Sequence, residues 1–91
     1  MSTEQIIRIE MEGLCETIIQ YSNDNYIISY AKQLRNTSYQ EDKEILLILI
    51  ERLYLWYERE IERIKESEYT LGKEAHLRSF ELLKNLKNKI H

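Results

Sequence analysis

The chain has 91 residues, of which 43% are hydrophobic and 32% charged, with two glycines, no proline and a formal net charge of −3. This composition is too apolar for a disordered segment and lacks the breakers of turn-rich β proteins, so it predicts one small all-α domain. The acidic balance argues against nucleic-acid binding, because phosphates require a basic face.

Signals for membrane insertion or secretion are not evident in the sequence. The longest apolar run covers residues 45–50, whereas a helix that crosses a bilayer needs roughly 20 apolar residues. The N-terminus is polar, and the single cysteine, Cys15, has no internal partner for a disulfide. We therefore expect a cytoplasmic protein that does not contact a membrane.

Hydrophobic periodicity predicts a bundle of four helices, at about 3–20, 25–36, 39–66 and 71–89. Cys15 falls on the apolar stripe of the first helix, where a free thiol behaves as a small hydrophobe. Gly13 interrupts the same helix, either to allow a close helix crossing or as a tolerated imperfection. Residues 22–25 offer several caps for the second helix, residues 38–41 (Ser-Tyr-Gln-Glu) form a capping box for the third, and Thr70 is placed to cap the fourth.

The long third helix has apolar residues on two sides. At 100° per residue, one side is predicted to face the core and carries Ile45, Leu46, Leu49, Ile50, Leu53, Trp56, Tyr57, Ile61 and Ile64. A second seam on the opposite side consists of two pairs seven residues apart, Leu47 with Tyr54 and Ile48 with Leu55. A helix that is apolar on both sides must be covered on both, so the seam meets either the other three helices or another chain.

Arginine and tyrosine side chains lie along this seam. Arg52, Arg59 and Tyr54 are of the types enriched at interface hot spots, and we expect Tyr54 to be exposed while Trp56 packs in the core. We therefore predict a partner-binding or oligomer surface made of Leu47, Ile48, Arg52, Tyr54, Leu55 and Arg59.

Charge is distributed unevenly between the two ends of the sequence. Residues 1–24 contain five acidic residues and one basic one, whereas residues 73–91 contain five basic residues and two acidic ones. The terminal helices are therefore expected to pack as neighbours of complementary charge. Alternatively, a basic face of the fourth helix docks on an acidic partner through Arg78, Lys84 and Lys87.

Sequence patterns for catalysis, metal binding or DNA recognition are missing. His76 and His91 lack the Glu-x-x-His or His-x-x-x-His spacing of helical metal sites, and no nucleophile–base pair stands out. A helix-turn-helix at residues 31–50 is rejected, because its recognition helix would begin with acids and become wholly apolar. We therefore predict no enzymatic activity, no cofactor, no metal and no nucleic-acid partner.

The leading hypothesis is a non-enzymatic protein that binds or inhibits a protein partner, as a homodimer. Small acidic helical bundles include bacteriocin-immunity proteins and phage-encoded inhibitors, which is an analogy of architecture alone, and the composition suits an AT-rich microbial or phage genome. The alternative is an oligomeric protein that sequesters a nucleotide-like anion, because tyrosine rings can stack on bases. The tyrosines that flank the second helix are Tyr21, Tyr26, Tyr30 and Tyr39.

Overall fold

The computed structural model describes residues 3–37, 43–67 and 72–90, with side chains given from residue 5 to residue 88 within those ranges. It contains four helices, namely α1 (Thr3–Tyr21), α2 (Asn25–Asn36), α3 (Lys43–Glu66) and α4 (Lys73–Ile90). The predicted all-α bundle is thus confirmed, with α3 as its longest helix. At 1.5 Å per residue α3 is about 36 Å long, close to the 39 Å long axis of the molecule.

The helices form a ring in which each contacts two others. Helix α3 packs between α2 and α4, and α1 closes the ring by contacting α2 and α4. The described parts of α1 and α3 lie diagonally across the ring, and their side chains share the core without close approach of the two backbones. The acidic α1 and the basic α4 are therefore neighbours, as complementary charge predicts.

A single core fills the centre of this ring. Cys15 and Trp56 are buried in it, as the apolar stripes predict, and Tyr57 is completely enclosed. The core residues are Ile7, Met11, Leu14, Cys15, Ile18, Ile27, Ala31, Leu34, Leu46, Leu49, Ile50, Leu53, Trp56, Tyr57, Ile61, Ile64, Leu83 and Leu86. The prediction for Ile45 was wrong: 51% of its surface is exposed, because it lies at the edge of the core-facing arc.

Asp24 fixes the turn between α1 and α2. Its Oδ1 atom accepts a hydrogen bond of 2.9 Å from the Tyr26 backbone N–H, which caps α2, and its Oδ2 atom accepts one of 3.1 Å from Trp56 Nε1. One carboxylate therefore caps a helix and joins it to α3. The predicted capping box at residues 38–41 and the cap at Thr70 lie outside the described residues.

The two glycines have opposite environments. Gly72 precedes α4 with φ +73°, and a Cβ atom there would lie 2.4 Å from the Tyr21 ring. Gly13 is exposed, and a Cβ atom built on it would meet nothing within 4 Å. The close-crossing explanation of Gly13 was therefore wrong, and the close approach occurs at Gly72 instead.

Candidate interaction surface

Helix α4 covers half of the predicted seam on α3. The rings of Tyr54 and Phe80 are stacked with centroids 5.6 Å apart, and Leu47 is also partly buried against the core. Lys87 places its Nζ atom 4.1 Å from the Tyr54 ring centre and 3.1 Å from Glu51 Oε2. The expected exposure of Tyr54 was wrong, because an aromatic ring and a lysine from α4 occupy its outer side.

The other half of the seam faces solvent. Ile48 is 57% exposed and Leu55 is 45% exposed, and Ile45 continues the same surface towards the start of α3. Tyr26 of α2 is 53% exposed and borders a shallow groove of about 360 Å³ beside Leu55. We call this set of side chains, Tyr26, Ile45, Ile48 and Leu55, the outer strip. Three large aliphatic side chains and a tyrosine thus lie uncovered on the α2–α3 side of the bundle.

Two arginines edge the outer strip. Arg52 and Arg59 are both exposed and line the groove that also includes Tyr26 and Glu58. Within the part of the chain that the structure describes, neither guanidinium group forms an ion pair or a hydrogen bond. The groove therefore combines apolar surface with two positive charges that are free to pair with carboxylates of another molecule.

The tyrosines beside this groove contact each other. Tyr30 donates a hydrogen bond of 3.2 Å to the Tyr26 hydroxyl, and their rings meet edge to face with centroids 4.8 Å apart. This hydrogen bond raises the pKa of Tyr30 above its ordinary value. The rings hold each other near the start of α2, so the exposed face of Tyr26 is presented in a defined orientation.

The predicted basic face of α4 is divided rather than continuous. Lys84 lies 4.4 Å from the Phe80 ring centre and 3.4 Å from Glu81, and Lys87 is bound to α3. Arg78 points to the other side of α4, where it lines an apolar groove of about 560 Å³ between α1 and α4. Two of the three cations thus pack against side chains of their own chain, which leaves Arg78 as the exposed one.

A buried polar cluster joins α3 to α4 near the other end of the bundle. The Tyr57 hydroxyl lies 2.7 Å from Nδ1 of His76, which is only 3% exposed, and it also interacts with buried Ser79. Burial lowers the pKa of His76, and a hydrogen bond with the Tyr21 backbone partly offsets this effect. Burial raises the pKa of Tyr57. His76 and Ser79 lie on the apolar stripe of α4, and that placement of two polar residues was the signal for such a cluster.

A polar cleft of about 620 Å³ opens beside this cluster. Asp24, Arg63 and His76 are among its lining residues, together with Tyr21 and Trp56. Their polar atoms are engaged within the chain, for Asp24 binds Trp56 and the Arg63 guanidinium pairs with Glu60 at 2.5 Å. The side chains that the structure describes include no buried nitrogen or oxygen atom without a partner and no group of three metal-ligating residues.

Cys15 lies deep in the core on α1. Burial raises the pKa of its thiol to about 12, so the nucleophilic thiolate is scarce at neutral pH.

None of the helices in the described ranges is both long and apolar enough to cross a membrane. No protein-family model matches the chain, and neither a curated protein nor a solved structure matches it. The surface geometry is therefore the basis for assigning a function.

Proposed function

We propose that this protein is a non-enzymatic interaction protein that binds a protein partner, or inhibits it, through the outer strip and its two arginines. The observation that supports this proposal most directly is the exposure of Ile48 and Leu55 on one helix face. Scattered apolar residues are ordinary on protein surfaces, whereas a contiguous apolar group edged by charges is typical of interaction sites.

The chemistry of the strip specifies the surface that would fit it. Ile45, Ile48 and Leu55 call for apolar side chains, and Arg52 and Arg59 call for carboxylates placed along one edge. Arginine and tyrosine at the rim of an apolar patch contribute directional hydrogen bonds in addition to buried area. A partner helix with apolar residues along its centre and acids along one side meets these requirements. A cytoplasmic location is part of this proposal, since the lone buried Cys15 offers no use for an oxidising compartment.

The test compares two double variants that place the same charges on opposite sides of the bundle. Ile48→Glu with Leu55→Glu disrupts the outer strip, whereas Ile6→Glu with Ile9→Glu alters two exposed isoleucines of α1. Each immobilised protein is presented to an extract of its own host, and the captured proteins, including untagged copies of the chain, are identified by mass spectrometry. Circular dichroism establishes that both variants are folded.

We expect a protein that the wild type and the α1 variant capture and that the strip variant loses. Capture that is equal for all three proteins would contradict the proposal, because the outer strip would then contribute nothing to binding. Capture lost only in the α1 variant would contradict it as well and would assign binding to the side opposite α3.

A second candidate function is the binding of a nucleotide-like anion. The observation in its favour is the groove beside Leu55, where the Tyr26 ring lies with Arg52 and Arg59. An aromatic face and two guanidinium groups could hold a base and a phosphate. A thermal-shift screen with nucleotides and cyclic nucleotides separates the candidates. A shift that Arg52→Gln with Arg59→Gln abolishes would support the anion binder, and no shift with any of these compounds would remove it.

A further inference from the structure

We infer that the partner of the outer strip is a second copy of this chain, with the two α3 helices packed parallel about a two-fold axis. This inference rests on the proposed function and names the partner. It follows from how charge is arranged on the two sides of the strip. The requirements set out above, apolar side chains along a helix and carboxylates along one edge, are met by α3 itself.

The charges on α3 differ in sign across the strip. At 100° per residue, Arg52 lies about 40° to one side of Ile48 and Glu51 about 60° to the other. The same offsets recur one heptad later, where Arg59 and Glu58 lie on either side of Leu55. The arginine side borders α2, because Arg52 and Arg59 share a groove with Tyr26. On the glutamate side Glu51 pairs with Lys87 of α4, while Glu58 lines the same groove as the two arginines. Each copy thus has a basic edge and an acidic edge along one apolar line.

Symmetry then decides the orientation of two such faces. A two-fold axis parallel to α3 brings the basic edge of each copy against the acidic edge of the other. A two-fold axis perpendicular to α3, which makes the helices antiparallel, brings the two basic edges together and the two acidic edges together. Like charges that face each other across an interface are unfavourable, so the parallel arrangement is the complementary one.

The charges needed for this contact are available in the single chain. Arg59 and Glu58 form no ion pair within the described ranges, while Glu51 shares its charge with Lys87. The pair between Arg59 of one copy and Glu58 of the other is therefore the principal charge contact, formed twice by symmetry. Seven residues after Leu55 the same line reaches Glu62, which in a parallel dimer would face Glu62 of the other copy. Two like charges would then oppose each other, so the apolar contact ends before this residue.

Disulfide crosslinking distinguishes the two orientations. In a Cys15→Ala background, Ile48→Cys and Leu55→Cys are prepared as two single-cysteine proteins and oxidised separately and as a mixture. In the parallel dimer residue 48 faces residue 48 and residue 55 faces residue 55, so each protein crosslinks alone. In an antiparallel dimer of the same strip residue 48 faces residue 55, and only the mixture crosslinks efficiently. Ile6→Cys on α1 serves as the control for random collision.

Charge exchange tests the proposed contact at Glu58 and Arg59. Sedimentation equilibrium should show that Arg59→Glu alone and Glu58→Lys alone each weaken the dimer roughly tenfold, since each creates two like-charge contacts. Mixing the two variants, or combining both substitutions in one chain, should restore association to near the wild-type level. All of these changes lie on the exposed surface, so the fold is expected to persist in every variant.

The crosslinking and sedimentation results decide between the parallel homodimer, another orientation and another partner. Crosslinking of each cysteine variant alone, with recovery in the exchanged pair, supports the parallel homodimer. Efficient crosslinking only in the mixture, or no rescue by charge exchange, overturns the orientation. A wild-type protein that sediments as a monomer at millimolar concentration overturns the choice of partner. That last result leaves the proposed function to be judged by the capture experiment, in which a different protein would then be lost with the strip variant.

Discussion

Two pairs of apolar residues on α3 have the same seven-residue spacing and different environments. Leu47 is partly buried against the core, and Tyr54 faces α4, where Phe80 stacks on its ring and the Nζ atom of Lys87 lies over it. Ile48 and Leu55 are only 100° further round the helix and remain largely exposed. Spacing and hydrophobicity therefore locate an apolar seam, but the presence or absence of a neighbouring helix decides whether that seam supports folding or is available for binding.

The covered pair also shows how an amphipathic side chain extends the core. Lys87 places its ammonium group over the Tyr54 ring and pairs it with Glu51. The uncovered pair is bordered by Tyr26 of α2 beside Leu55 and remains largely exposed.

The largest loss of stability is expected from a substitution at Gly72, directly before α4, because the position of α4 determines whether Tyr54 is covered. Gly72→Ala should destabilise the fold by about 2–4 kcal/mol, since alanine is strained at φ +73° and its Cβ would overlap the Tyr21 ring. Urea unfolding followed by circular dichroism measures this change. A loss below about 0.5 kcal/mol would mean that the contact between the start of α4 and Tyr21 does not position α4.

Truncation of each pair should separate folding from binding. Tyr54→Ala should lower the free energy of unfolding by about 2 kcal/mol, because it removes the ring between Phe80 and Lys87, whereas Tyr54→Phe retains the ring and should change little. Leu55→Ala should change the monomer's stability by less than about 0.5 kcal/mol. Urea titrations at concentrations low enough to prevent association compare all three variants. Equal losses for Tyr54→Ala and Leu55→Ala would show that the pairs are equivalent after all.

Acidification should lower the free energy of unfolding through His76, which lies on the α4 side of the bundle. The pKa of His76 is lowered in the folded state by burial, so the unfolded chain takes up the proton first as the pH falls below about 6.5. Stability is therefore complete above this pH and decreases below it, down to the lowered pKa. The measurement is the urea midpoint at pH 7.5 and at pH 5.0 for the wild type and for His76→Gln. A pH dependence that is the same in both proteins would contradict this role for His76.

The smallest effect is expected at Gly13, the matched control for Gly72. Gly13→Ala should stabilise the fold by up to about 1 kcal/mol, because the site is helical and exposed with open space around it. Thermal unfolding measures the gain. A destabilising result would indicate that a helix or a bound molecule approaches α1 at this point.

Much of this arrangement was predictable from periodicity. The four helices, the burial of Cys15 and Trp56, and the two apolar sides of α3 all follow from spacing at 3.6 residues per turn. What periodicity could not resolve was which side of the seam α4 would cover, because that depends on how helices are arranged around the ring. Tyr54 and Ile45 illustrate this, since each lies about 100° from a neighbour whose environment is the opposite of its own.

The polar cluster was missed for a different reason. Periodicity places His76 on the stripe of α4 and Tyr57 on the core face of α3, but the two residues lie 19 positions apart on different helices. Such contacts between distant residues cannot be deduced from spacing within one helix. The presence of His76 and Ser79 on an apolar stripe was the available clue, because buried polar groups require hydrogen-bond partners.

The most direct test of the central claim, that the outer strip is an association surface, is sedimentation equilibrium over a wide range of protein concentration. The wild type and the α1 variant (Ile6→Glu with Ile9→Glu) should both approach twice the monomer mass of 11.1 kDa as the concentration rises. The strip variant (Ile48→Glu with Leu55→Glu) should remain at the monomer mass with unchanged helical content. A strip variant that associates as strongly as the wild type would contradict the account.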